Sequence, residues 1–94
     1  MRKVNIESSV LDGLKDIKVP LKILNSVYGT CEGKQIKLDL GWQRNFAQEN
    51  NLQRLEVLAA IEDMKRTGLL ERLSMGVYRI NQEYIASGKI SFFI

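Results

Sequence analysis

The residue types that carry covalent or metal chemistry are nearly missing from this 94-residue chain: Cys31 is the only cysteine and there is no histidine. This excludes an internal disulfide, a zinc site built from cysteine and histidine, and acid–base chemistry by imidazole. The carboxylates are scattered, no nucleophile stands with a base and an orienting group, and there is no glycine-rich phosphate loop. Neither an enzyme nor a bound metal or cofactor is therefore expected. What is left is recognition by charge and hydrogen bonding. The formal charge is +3, and residues 1–44 hold eight Lys/Arg against five Asp/Glu, whereas residues 45–94 hold six against six. A basic first half is compatible with a polyanionic partner such as nucleic acid. It lacks the dense basic cluster or basic amphipathic helix that membrane attachment requires, so no membrane partner is expected.

The elements that must position these side chains are short and clearly punctuated. At 45% apolar residues, a chain of this length supports one core, and a single domain over 1–94 is expected. No run is long enough to cross a bilayer, and Met1 to Ile6 carries no apolar stretch of secretory type; both predict a cytoplasmic protein. Ser8-Ser9 can cap a first helix with Val10, Leu11, Leu14 and Ile17 at helical spacing, weakened by Gly13. Pro20 suits the first turn of a second helix whose stripe is Leu21, Leu24, Val27 and Tyr28, ended by Gly29. Lys34 to Leu40 alternates polar and apolar residues as a half-buried edge strand does.

A short helical segment follows, with Trp42, Phe46 and Ala47 on one side, and runs out at Glu49-Asn50-Asn51, where asparagine tolerates a left-handed turn. From Gln53 to Thr67, Val57, Ala60, Ile61 and Met64 recur at the spacing of a helix with one buried face, closed by Gly68. Leu69 to Leu73 and Val77 to Ile80 read as two strands joined through Ser74-Met75-Gly76. Ile90-Ser91-Phe92-Phe93-Ile94 forms an apolar C-terminal strand over 90–94.

Ala47, Asn51 and Val57 stand at the spacing of the small residue, the turn residue and the β-branched core residue of helix-turn-helix motifs. With Met64 to Arg72 and the run Gly76-Val77-Tyr78-Arg79-Ile80-Asn81, residues 20–85 resemble bacterial winged-helix regulators. The run from Gly76 to Ile85, followed by Gly88-Lys89, is also similar to the wing and exit of replication proteins of small plasmids. Gln82 stands where those proteins often have proline. The resemblance implies an α+β winged helix-turn-helix of three to four helices, a small antiparallel sheet and a β-hairpin wing. The motif would span about 40–67 and the wing about 69–80. It implies double-stranded DNA as partner, in transcription regulation or in plasmid or phage replication.

In that frame, Gln53, Arg54, Leu55, Leu58 and Ala59, with Glu62, face a major groove. Arg54 suits guanine, Gln53 suits adenine, and Leu55, Leu58 and Ala59 suit thymine methyl groups. Lys34, Lys37 and Arg44, with Arg72 and Arg79 on the wing, are the expected phosphate contacts. Residues 53–67 hold three basic and three acidic side chains, which is weak electrostatics for a recognition helix. Bland readings stand beside these. Exposed Leu55 and Leu58 equally suit a protein partner, which would make the chain an interaction module. The five cations equally suit an ordinary solvated surface, Cys31 a loop or core position, and Trp42 a core position. The C-terminal strand either packs on its own chain or joins Val10, Leu11, Leu14 and Ile17 in a homodimer surface through Phe92 and Phe93.

Overall fold

The computed structural model describes residues 3–27 and 35–93, and of Lys3, Val4, Phe92 and Phe93 only the backbone pairing. The fold is α+β, and its elements run β1 (Lys3–Ile6), α1 (Ser8–Leu11), α2 (Lys18–Ser26), β2 (Ile36–Lys37), α3 (Leu40–Glu49) and α4 (Arg54–Arg66), then β3 (Leu70–Ser74), β4 (Val77–Ile80), α5 (Gln82–Ala86) and β5 (Ile90–Phe93). The strands form two antiparallel sheets, one of β1 and β5, the other in the order β2-β4-β3. No helix among the described residues is long and apolar enough to cross a membrane.

The central element is α4. Val57, Ala60, Ile61 and Met64 are its buried residues, and they lie one above another because 3.6 residues make a turn. Glu56 sits in its first turn and Lys65 and Arg66 in its last, each sign favoured by the helix dipole at that end. Against α4 lie α2, which buries Pro20, Ile23 and Leu24, and α3, which buries Phe46 and Ala47. Ile36, Leu70, Tyr78 and Ile80 close the same core from the three-stranded sheet, with Leu38 and Leu69 beside its strands.

Several boundaries differ from the sequence expectation for local reasons. Of the alternating run expected up to Leu40, the described residues from Gln35 onward yield only the two residues of β2, because the Asp39 carboxylate accepts the Trp42 amide at 2.9 Å and caps α3 three residues ahead of Trp42. Leu40 thereby becomes an exposed first-turn residue instead of a strand residue. The first helix is a single turn, since the chain leaves it at Asp12-Gly13 to pass close to the end of α4, where Arg66 Nη2 donates to the Gly13 carbonyl at 2.6 Å. Leu14 is still buried, but Ile17 lies outside that helix and is exposed. In α2 the buried stripe is Ile23, Leu24 and Val27, with Leu21 half-buried; Tyr28, Gly29, Cys31 and Lys34 lie outside the described residues.

Five helices are present among the described residues instead of three or four, the addition being the short α5. Asn81 starts α5 by accepting the Glu83 amide on its side chain at 3.0 Å. Neither β1 nor α5 was expected from sequence. β1 supplies the partner for the apolar C-terminal run, with Ile6 opposite Ile90 and Val4 opposite Phe92. The 90–94 strand is thus seen as 90–93 and pairs within its own chain.

Candidate nucleic-acid interface

The turn between α3 and α4 is set by Asn51, whose φ of 54° is the left-handed value, and by the Leu52 amide, which donates to the Ala47 carbonyl at 2.8 Å. Ala47 is small and buried, so α4 crosses close over the end of α3. Trp42 is half-buried and stacks on Phe46, with ring centroids 4.8 Å apart, which gives it a packing role.

Opposite its buried stripe, α4 exposes Leu55, Ala59, Glu62 and Arg66, which follow one another at i, i+4, i+7 and i+11 and so share one face. Leu55 is 62% exposed, a high value for a leucine with no apolar cover. Gln53 is the exposed N-cap residue and makes no capping bond with its side chain. Leu58 is half-buried, off the centre of this face. Glu62 is paired with Lys65 at 2.8 Å.

Arg54 behaves differently from the sequence expectation of a side chain reaching out to guanine. It is half-buried, and its Nη1 donates to Oε1 of Gln43 at 3.2 Å. Gln43 is itself buried, and its Nε2 donates to the Leu38 carbonyl at 3.0 Å. The guanidinium is therefore drawn back toward α3.

The β3–β4 hairpin turns at Met75-Gly76, with Gly76 at φ 74°. Its tip is held against the start of α3. The Leu38 amide donates to the Gly76 carbonyl at 2.8 Å, and a Cβ on Gly76 would meet Asp39 Cβ at 3.3 Å. Met75 projects from this tip, 86% exposed. Arg79 and Glu71 are cross-strand partners, and the Arg79 guanidinium donates to one carboxylate oxygen at 2.8 and 3.2 Å in a partly exposed ion pair. Arg72, Lys37 and Arg44 are exposed and, among the described residues, join no ion pair. Lys37 and Arg72 share with Leu40, Gln43, Glu62 and Met75 an open depression of about 530 Å³.

A second, smaller depression of about 290 Å³ lies between α4 and the loop ahead of α2, lined by Lys15, Ala59, Glu62, Asp63 and Arg66. Asp63 anchors it by accepting the Lys15 amide at 2.7 Å and the Arg66 guanidinium. Burial pushes the Asp63 pKa up. The Arg66 hydrogen bond, the Lys15 amide and the positive charges of both residues outweigh that and hold it below the ordinary carboxylate value. Lys15 was not singled out from sequence, because it lies far from the motif in the chain and is brought to α4 only by the Asp63 contact.

Of the residues considered for a subunit surface, Val10 and Leu14 are buried in the chain's own core, Leu11 is packed against it, and Ile17 is exposed. Phe92 and Phe93 belong to β5 and lie opposite Val4 and Lys3. Compared with known protein families, with curated proteins and with solved structures, the chain has no match.

Proposed function

We propose that the chain is a winged-helix protein that binds double-stranded DNA, with α3 and α4 as its helix-turn-helix and β3–β4 as a short wing. The observation that carries this reading is the sheet order β2-β4-β3. The strand ahead of α3 pairs with the second strand of the hairpin, so the two helices and the hairpin are tied into one unit. The left-handed Asn51 between α3 and α4 and the uncovered face of α4 agree with it. Exposed Lys37, Arg44 and Arg72 supply phosphate contacts, and control of transcription or of plasmid or phage replication is the process the sequence resemblance favours. Exposed Leu40, Leu55 and Met75 favour a second reading, a protein-interaction module on the same face.

The test is a fluorescence-anisotropy titration of random duplex across a salt series. Three phosphate contacts give a log–log salt slope of about −3, and Arg72→Ala or Lys37→Ala reduces it by about one unit. Binding without salt dependence, or none at all at low salt, overturns the DNA reading in favour of the second.

A further inference from the structure

The β3–β4 hairpin reaches past the end of the core. Arg72 stands on the inner side of β3, two residues on from buried Leu70 and directly opposite buried Tyr78, yet it is exposed. Beyond that point the inner face opens into the depression of about 530 Å³, whose apolar part includes Leu40 and Tyr78. Its rim carries Met75, 86% exposed on a tip that the Leu38 amide holds in place through the Gly76 carbonyl. A flexible apolar knob on a fixed mount thus stands beside an open, partly apolar hole.

The charges of the lining bear on what can cover it. Lys37 and Arg72 stand there with Asp39 and Glu62, so the formal charges cancel. A lining of one sign repels a copy of itself. A balanced one attracts it, because a two-fold axis sets each copy's cations against the other's carboxylates. The complement that the depression requires, an apolar knob flanked by both signs of charge, is what the hairpin tip beside it presents. Glu62 is the more available carboxylate: its bridge to Lys65 uses one oxygen, whereas Asp39 is committed to capping α3. Arg72 is the cation that suits it, since a guanidinium grips a carboxylate through two donors. We infer that the chain pairs with a second copy of itself about a two-fold axis beside the hairpin tips. Met75 of each copy enters the depression of the other, and Arg72 of each meets the other copy's Glu62. This names an occupant for the face that the interaction-module reading leaves open. Arg72 is also a phosphate contact of the DNA reading, so the pairing is measured without duplex.

The experiment is sedimentation velocity of the full chain from micromolar to millimolar concentration. The patch is small, so pairing is expected to be weak and to appear as a rise in mass from one chain toward two as concentration increases. Met75→Asp, which puts a charge where the apolar knob is needed, is expected to stay at one chain throughout. Arg72→Glu and Glu62→Arg each bring like charges together twice across the axis and are expected to weaken pairing about tenfold or more. Mixed in equal amounts, these two variants are expected to pair about as tightly as wild type, because both contacts of the mixed pair again join opposite charges. That recovery also shows that both are folded, as their exposed positions favour.

A wild type that remains one chain up to millimolar concentration overturns the inference and leaves both readings of the face standing. Pairing that survives Met75→Asp assigns the contact to another surface and overturns it as well. So does a mixture of Arg72→Glu and Glu62→Arg that pairs no better than either variant alone.

Discussion

Arg54 Nη1 and Gln43 Oε1 lie 3.2 Å apart, and through the other end of the same amide Gln43 holds the Leu38 carbonyl at 3.0 Å. One buried side chain thus links the start of α4, the middle of α3 and the end of β2. Replacing it by leucine keeps the volume but leaves the carbonyl and the guanidinium without their partner. Gln43→Leu is expected to cost about 1–3 kcal/mol in urea unfolding. An unchanged midpoint would mean that water replaces the amide at no cost and that the link is incidental.

Ile61 is fully buried at the centre of α4, whereas Leu58, three residues earlier, is half-buried. Ile61→Ala opens a cavity among side chains that cannot close over it and is expected to cost about 2–5 kcal/mol. That is a large share of the stability of a domain this size. Leu58→Ala should cost well under half as much. Thermal unfolding of the two variants side by side checks the register of the helix.

Asp63 makes stability depend on pH in a stated direction. Its folded pKa lies below the ordinary carboxylate value, so the folded state favours the ionised form. The resulting stabilisation is complete above the unfolded value of about 4 and is lost as the pH falls through the lower folded value. Asp63→Asn should be less stable than wild type at pH 7, with the gap narrowing below about pH 4. Denaturant midpoints for both proteins between pH 2 and pH 7 provide the comparison; a constant gap would place the effect elsewhere.

β5 has its partner in β1 of the same chain, and Ile90 is buried in the shared core. Removing residues 90–94 should therefore lower the unfolding midpoint while leaving the solution mass per particle essentially unchanged. Light scattering that shows the mass halving would reassign the strand to a subunit interface.

Asn51 holds a left-handed backbone at φ 54°. Alanine there is expected to cost about 1–2 kcal/mol and glycine very little. Equal losses for the two would point to the side-chain amide instead of the backbone as the reason for asparagine.

The stretch from Asn51 to Ile80 was legible in the sequence because its signals are local. The i, i+3, i+4, i+7 apolar stripe, the asparagine in the turn and the glycines after α4 and in the hairpin each act within a few residues, and Val57, Ala60, Ile61 and Met64 are buried as that spacing requires. The N-terminal third was less legible. The apolar spacing of Val10, Leu11, Leu14 and Ile17 suits a helix, yet the Gly13 carbonyl is engaged by Arg66, 53 residues away. No local pattern announces such a contact. β1 has the same origin, since Lys3-Val4-Asn5-Ile6 alternates polar and apolar residues but is too short a signal to stand alone, and it becomes a strand because β5 arrives beside it. At the site, the exposure of Leu55 and Ala59 followed from helical phase, whereas the withdrawal of Arg54 toward Gln43 and the arrival of Lys15 needed three-dimensional contacts to become visible.

The short hairpin tip, tied through Gly76 to Leu38 and Asp39, bears on how this face meets a partner. A long flexible wing would have to freeze its backbone on docking, at about 1–2 kcal/mol per residue in lost freedom. Here that ordering is complete before any encounter, and the side chain of Met75 is the main rotor left at the tip. The corollary is a stiff template: partners whose contours depart from it are rejected by misfit, because the surface has little slack with which to follow them.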